Sequence, residues 1–207
     1  MSPFTQNYSS LAELKVGKPD SSSSVARAFM HFDTAQLNNV NVTASALYVK
    51  EAHSWSCTQN PGPVYRVLDS SWTGASMTQF PGNATADASP AGGGWADASA
   101  CHNRWASWNI TDIARNWAAS HDANGSVSVR ASNEASNLTW KKYHSANSTL
   151  ANTPFITVSY TSGSPFGSTD DAVKVSGYGS GAANVFVRGL GDRSRHHWVD
   201  PGSRLCV

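Results

Sequence analysis

The densest run of side chains able to hold a ligand is Lys141-Lys142-Tyr143-His144, with Arg130 on what reads as the preceding strand. Flat aromatic rings can stack on the CH-rich face of a sugar, and cations can fix its hydroxyls and carboxylates. Alternation along a strand puts Lys141 and Tyr143 on one face and Trp140, Lys142 and His144 on the other. Arg130, Lys141 and Tyr143 are therefore the candidate ligand-binding residues. The competing reading is an ordinary solvated strand.

No residue set reads as catalytic. Hydrolysis of a glycosidic bond needs two carboxylates in one cleft, and no such pair stands out. His196, His197, Asp200 and Cys206 could be drawn as a triad, but they sit in a basic tail with no apolar period. Gly177-Tyr178-Gly179-Ser180-Gly181 lacks the following helix that a phosphate loop requires. Asp33, Asp69, Asp112, Asp170 and Asp171 are the acidic candidates for calcium, but no D-x-D-x-D-G run joins them, so no metal or cofactor is assigned. Cys57, Cys101 and Cys206 lack zinc spacing. Cys57 and Cys101 each follow an aromatic segment and admit two readings, one bridge across a loop or two buried thiols. Cys206 is left over.

The elements that must position these residues are short and mostly extended. Ala12 to Gly17 alternates as a strand. In Val25 to Asp33, Ala26, Ala28, Met30 and Phe32 share an apolar face that should point to the core, with His31 opposite. Ala44 to His53 and Val64 to Leu68 are the next strands. Trp72 to Ala100 has little period and reads as a long loop with a strand fragment near Trp95. Residues 106 to 131 read as strand, short helix, turn and strand. Trp108 and Ile110 alternate; Thr111 is placed to cap a helix over about residues 112–119, with Asp112 in its first turn. Ile113 and Trp117 share one helical face. Asn124-Gly125 is placed to turn the chain, and Val127 and Val129 resume a period of two. Leu138 to His144 is a further strand. After Pro154, Phe155, Thr157 and Ser159 alternate with Ile156, Val158 and Tyr160. Trp108 and Trp117 are assigned to the core; Trp55, Trp72, Trp95 and Trp105 flank loops, some of them closing the ends of the sandwich, and each reads more readily as core than as a ligand platform. Many short strands with turn-rich links and one small helix predict an all-β, jelly-roll-like sandwich. Beyond Thr161-Ser162-Gly163-Ser164-Pro165, two strands around a Gly/Ser turn and a basic tail predict a partial second module over residues 163–207, after a first unit of residues 1–162.

Composition narrows the class. Of 207 residues only 14% are charged, and the formal net charge is +1. No global field recruits nucleic acid or a membrane surface, and no apolar run is long enough for a membrane span. Low charge with abundant Ser, Thr, Asn and Gly suits secreted all-β proteins. Met1 to Thr5 shows no basic and apolar leader, so the chain reads as cytosolic, exported by another route, or an excerpt of a longer secreted protein.

Several stretches together resemble one family. Leu14 to Gly17, Ala26 to Asp33 and Ser45 to Tyr48 look like its opening strands. Trp108-Asn109-Ile110-Thr111-Asp112-Ile113-Ala114-Arg115-Asn116-Trp117 looks like its strand-to-helix signature, and Trp140 to Ser145 with Asn152 to Tyr160 look like its closing strands. This is the DNRLRE-domain group, similar to carbohydrate-binding module family 96, found in large secreted bacterial proteins, among them actinobacterial RHS-repeat proteins. The resemblance covers about residues 8 to 161. It implies a jelly-roll sandwich, a non-catalytic role, and a polysaccharide or cell-wall glycan as partner. It also implies a Cys57–Cys101 disulfide, because actinobacterial members often carry a pair there. Members usually begin with a further strand that is absent here. The first functional reading is thus a secreted polysaccharide-binding module of a larger multidomain protein. The second is a structural or adhesion spacer with no sugar site. Exposed aromatics on one sheet face would favour the first, and a uniformly Ser/Thr-covered surface the second.

Overall fold

The computed structural model describes residues 10–19, 25–54, 62–68 and 104–161 with their side chains, and 83–89, 162, 170–177, 183–189 and 197–198 as backbone. The strands are β1 (Glu13–Val16), β2 (Ala28–Asp33), β3 (Val40–Ser54), β4 (Val64–Val67), β5 (Asn83–Ser89), β6 (Trp105–Asn109), β7 (Asn124–Val129), β8 (Lys141–His144), β9 (Phe155–Ser162), β10 (Asp170–Gly177), β11 (Ala183–Gly189) and β12 (His197–Trp198), with one α-helix, α1 (Thr111–Ser120). They form two antiparallel sheets. The larger runs β1-β8-β3-β9-β10-β11-β12 with β6 also paired to β3; the smaller runs β2-β7-β4-β5. The protein is an all-β sandwich with one short helix.

The long strand β3 organises the larger sheet. It pairs with β9 from Val40 to Tyr48, with β6 from Ala46 to Lys50, and with β8 from Glu51 to Ser54. Because β6 and β9 both pair with residues 46–48, they flank it. Its period of two buries Leu47 and Val49 and turns Ala46, Tyr48 and Lys50 outward. Trp108 and Ala106 of β6 and Ile156 and Val158 of β9 join the inner face. Opposite them lie Ala28, Met30 and Phe32 of β2 and Val127 and Val129 of β7, the apolar faces that their alternation predicts. Helix α1 adds Ile113, Ala114, Trp117 and Ala118 to this core. Burying a Trp and its aliphatic neighbours contributes about 1.5–3 kcal/mol per large side chain before ordering costs are counted.

Four local expectations change. Thr111 is the first helical residue, not the cap; its Oγ accepts the Ser45 N–H at 3.0 Å and donates to Asn109 Oδ1 at 2.7 Å, tying the helix start to β3. Asn109 Oδ1 in turn accepts the Thr111 N–H. The turn after α1 is made by His121 in the left-handed region (φ 55°), while Asn124 and Gly125 already belong to β7. Gly125 is needed for closeness rather than turning, since a Cβ there would lie 2.6 Å from the Trp117 indole. The segment before β6 is not loop throughout, since Asn83–Ser89 form β5; the strand fragment expected near Trp95 lies outside the described residues. Finally β8 begins only at Lys141, because Asn137–Thr139 form a 3-10 turn that Trp140 ends. Cys57, Cys101 and Cys206 also lie outside the described residues. The strands expected near residues 172–177 and 184–189 are present as β10 and β11, paired with each other, and β10 also pairs with β9. No helix among the described residues is long and apolar enough to cross a membrane.

Candidate functional site

The short strand β8 separates the predicted ligand residues by parity. Lys141 and Tyr143 face inward and are 2% and 1% exposed. The Tyr143 ring meets Trp108 edge-on at 6.1 Å. Burial, and secondarily the Glu51 carboxylate, push the Tyr143 phenol well above its usual range. Burial lowers the Lys141 pKa, while Glu51, itself fully buried, opposes that shift. These two residues are thus core residues in this structure, and neither presents a surface to a ligand. Arg130 is elsewhere, on the smaller sheet side, half-buried with its guanidinium 4.5 Å above the Tyr65 ring. Its pKa is lowered by burial and then by Arg27, with Glu134 and Tyr65 opposing. Arg27 and Glu134 form their own two-pronged ion pair at 2.7 and 2.8 Å. The three residues do not converge.

The opposite parity builds a surface instead. Lys142 and His144 point outward from β8. In register, Lys142 lies between Lys15 of β1 and His53 of β3, and His144 lies beside Glu13 of β1. Lys142 pairs with Glu13 at 3.1 Å. The His144 pKa is lowered first by burial and then by Lys50, with Glu13 opposing, so Lys50 shares this neighbourhood. Lys50 also donates to Asn152 Oδ1 at 2.8 Å. Among the described residues, this half of the outer face therefore holds three lysines and two histidines around one carboxylate.

Aromatic side chains adjoin it. Tyr48 of β3 and Phe155 of β9 are cross-strand partners whose rings stack at 4.8 Å and 16°. Trp105 of β6, in register with Lys50, meets Phe155 edge-on at 5.1 Å and is 37% exposed. From Ser107 of β6, the register partner of Tyr48, the same three strands continue past this step with Ala44 and Ala46 in the centre, Asn109 on β6, and Thr157 and Ser159 on β9. Together with Ser45, Trp108 and Thr111 they line an open groove of about 350 Å³. That volume falls at the small end of the roughly 300–1,000 Å³ of small-molecule sites. The small alanines on the central strand, between larger side chains on both neighbours, produce the depression. Tyr48, Trp105 and Phe155 were not singled out as site residues from sequence, and Trp105, which reads more readily as core, is an exposed strand residue. The signal was available: Trp105, Ser107 and Asn109 have the opposite parity to the buried Trp108.

Among the described residues no group of three or more His, Cys, Asp or Glu could hold a metal ion. Asp33 accepts the Ala35 N–H, and Asp112 pairs with Arg115 at 3.1 Å. Asp69 and the side chains of Asp170 and Asp171 lie outside the described set.

The two-sheet sandwich thus carries, on one outer face, an aromatic step between a cationic patch and a polar groove. Residues 2–160 match the family described as carbohydrate-binding module family 96, and the chain belongs to that family. It is also similar to two curated Bacillus subtilis proteins. The tRNA nuclease WapA of strain 168 is 29% identical over 169 residues, which is 76% of this chain and 7% of that protein. The tRNA(Glu)-specific nuclease WapA of subspecies natto strain BEST195 gives the same identity and coverage. The chain thus spans a small fraction of the length of these relatives.

Proposed function

We propose that this chain is a non-catalytic, extracellular glycan-binding module, and that its ligand is an acidic polysaccharide lying across the outer face of the larger sheet. One observation carries the reading: the exposed Trp105 and the half-buried Tyr48–Phe155 stack share the outer face of the larger sheet with Lys15, Lys50, Lys142, His53 and His144. A sugar ring laid on the Trp105 indole gains the CH–π contact, and its carboxylate or sulfate meets the lysines. The nuclease activity named for the two relatives belongs to proteins of which this stretch is 7%, so we assign this chain binding rather than cutting, as one part of a larger protein. The family match ending at residue 160 supports taking residues 1–162 as the binding unit and 163–207 as an appended partial module.

A glycan array probed with the whole chain tests this. Acidic polysaccharides should be retained, and the signal should drop on Trp105→Ala and on Lys142→Ala. A blank array from folded protein would refute the reading and favour a structural spacer. An oxidising compartment would also leave one titratable thiol, with Cys57 and Cys101 bridged; three titratable thiols after aerobic secretion would exclude the bridge.

A further inference from the structure

We propose a second anion subsite for acidic glycan on the outer face of the smaller sheet, where Arg130, with Arg27 beside it, takes a uronate carboxylate. The proposal rests on the glycan reading above and adds a second face to it. Val127 and Val129 of β7 are core residues, so Ser126, Ser128 and, just past the strand, Arg130 turn to the outer face. Ser126 Oγ meets His31 Nδ1 of β2 there at 2.6 Å. One position beyond the Ala28–Val129 pair, Arg27 comes opposite Arg130. Like charges facing each other on neighbouring strands destabilise a sheet.

The neighbouring carboxylate does not resolve this. Both Glu134 oxygens are engaged by Arg27, Oε1 by Nε at 2.7 Å and Oε2 by Nη2 at 2.8 Å. At Arg130 the effect of Glu134 is outweighed by that of Arg27, and burial disfavours the charge further. The Arg130 Nε is buried and donates to no acceptor among the described residues. What holds this guanidinium is the Tyr65 ring 4.5 Å beneath it, a contact that sets no hydrogen-bond direction. Side chains at binding surfaces commonly change rotamer when a partner arrives. Turning on the Tyr65 ring presents the Nε–Nη fork, the geometry with which arginine takes a planar carboxylate. The carboxylate then satisfies the Nε donor and offsets the repulsion between the two guanidinium groups. In the next row Phe29 and Tyr65 flank Ser128, so a cationic row borders an aromatic one here as on the larger sheet.

The experiment follows two NMR signals of the whole chain: the Arg130 Nε–H, identified by its loss in Arg130→Gln, and the Trp105 indole N–H, identified by its loss in Trp105→Phe. Trigalacturonate should shift the Arg130 signal saturably, whereas neutral galactotriose, or sodium chloride at matched ionic strength, should not. The shift should persist in Trp105→Ala, in which the larger-sheet platform is removed. In that background Arg130→Gln should weaken trigalacturonate binding about tenfold. Glu134→Gln, which takes a competing carboxylate away from the two arginines, should instead tighten it severalfold. A purely structural ion pair predicts no such gain, so weaker or unchanged binding by folded Glu134→Gln protein would overturn the subsite. So would an Arg130 signal that trigalacturonate leaves unmoved while the Trp105 signal responds, or one that chloride moves equally; the glycan reading itself would then stand. Trigalacturonate moving neither signal in a folded sample would instead remove that reading, and the subsite with it.

Discussion

Consecutive residues of β8 form two sites of similar composition and opposite consequence. On the inner face, Lys141 and Tyr143 lie with Glu51 in the core. On the outer face, Lys142 and His144 lie with Glu13 at the surface. Each set is a lysine, a ring and a glutamate. What separates them is one step of strand parity, and with it the surrounding dielectric. Inside, charge is expensive to hold and expensive to break, because each partner has lost its water. Outside, solvent screens the Lys142–Glu13 pair and leaves it worth about 0–1 kcal/mol. The comparison teaches that the presence of cationic and aromatic residues says little about binding until the facing direction is known.

The largest effect expected is on the inner set. Lys141→Met should destabilise the fold by about 3–5 kcal/mol, since Glu51 would remain buried without the opposing ammonium. Adding Glu51→Leu should restore most of that loss in urea denaturation. A single variant as stable as the parent would show that the inner charges are not coupled. The matched outer change, Lys142→Ala, should shift stability by under about 1 kcal/mol while weakening binding to an acidic glycan. If it unfolded the protein instead, the contrast between the faces would fail. The smallest effect is in the pH dependence. His144 has its folded pKa held below its usual 6.5, so the unfolded chain binds the proton first as pH falls. Its contribution to stability is therefore intact above pH 6.5 and is lost as pH drops from there toward the folded value. His144→Gln should flatten the stability curve over that acid range, and a curve of unchanged slope would contradict the assignment.

Much of the architecture was legible because burial follows a period of two. The inward set Ala28, Met30 and Phe32, the pair Trp108 and Ile110, and the helix face of Ile113 and Trp117 are all apolar at the right spacing. The site was less legible. Reading a strand from Leu138 correctly paired Lys141 with Tyr143, but alternation alone does not say which face is core, and Trp140 suggested the wrong one. Trp140 is buried from the end of a 3-10 turn, outside the strand's alternation, so its burial carries no information about Lys142. The aromatic step was missed for a different reason. Tyr48, Trp105 and Phe155 sit on three strands separated by up to 107 residues, and only the pairing of β3 with β6 and β9 assembles them. Arg130 shows the converse: it is close in sequence to β8, yet it stacks on Tyr65 of the smaller sheet.

The fifteen-residue strand β3 also sets a timetable for synthesis. Its N-terminal end pairs with Ser162, 122 positions later in the chain, and its C-terminal end with Lys141. A ribosome adding about 5–20 residues per second would take on the order of 5–20 s to make the 108 residues between the end of β3 and the end of β9. During that interval Leu47 and Val49 have no completed sheet to enter, and β3 offers an open edge to any neighbouring nascent chain. The protein's most connected strand is thus among the first made and among the last satisfied, which makes yield in the cell sensitive to the speed of translation and to whatever holds the chain apart until β9 arrives.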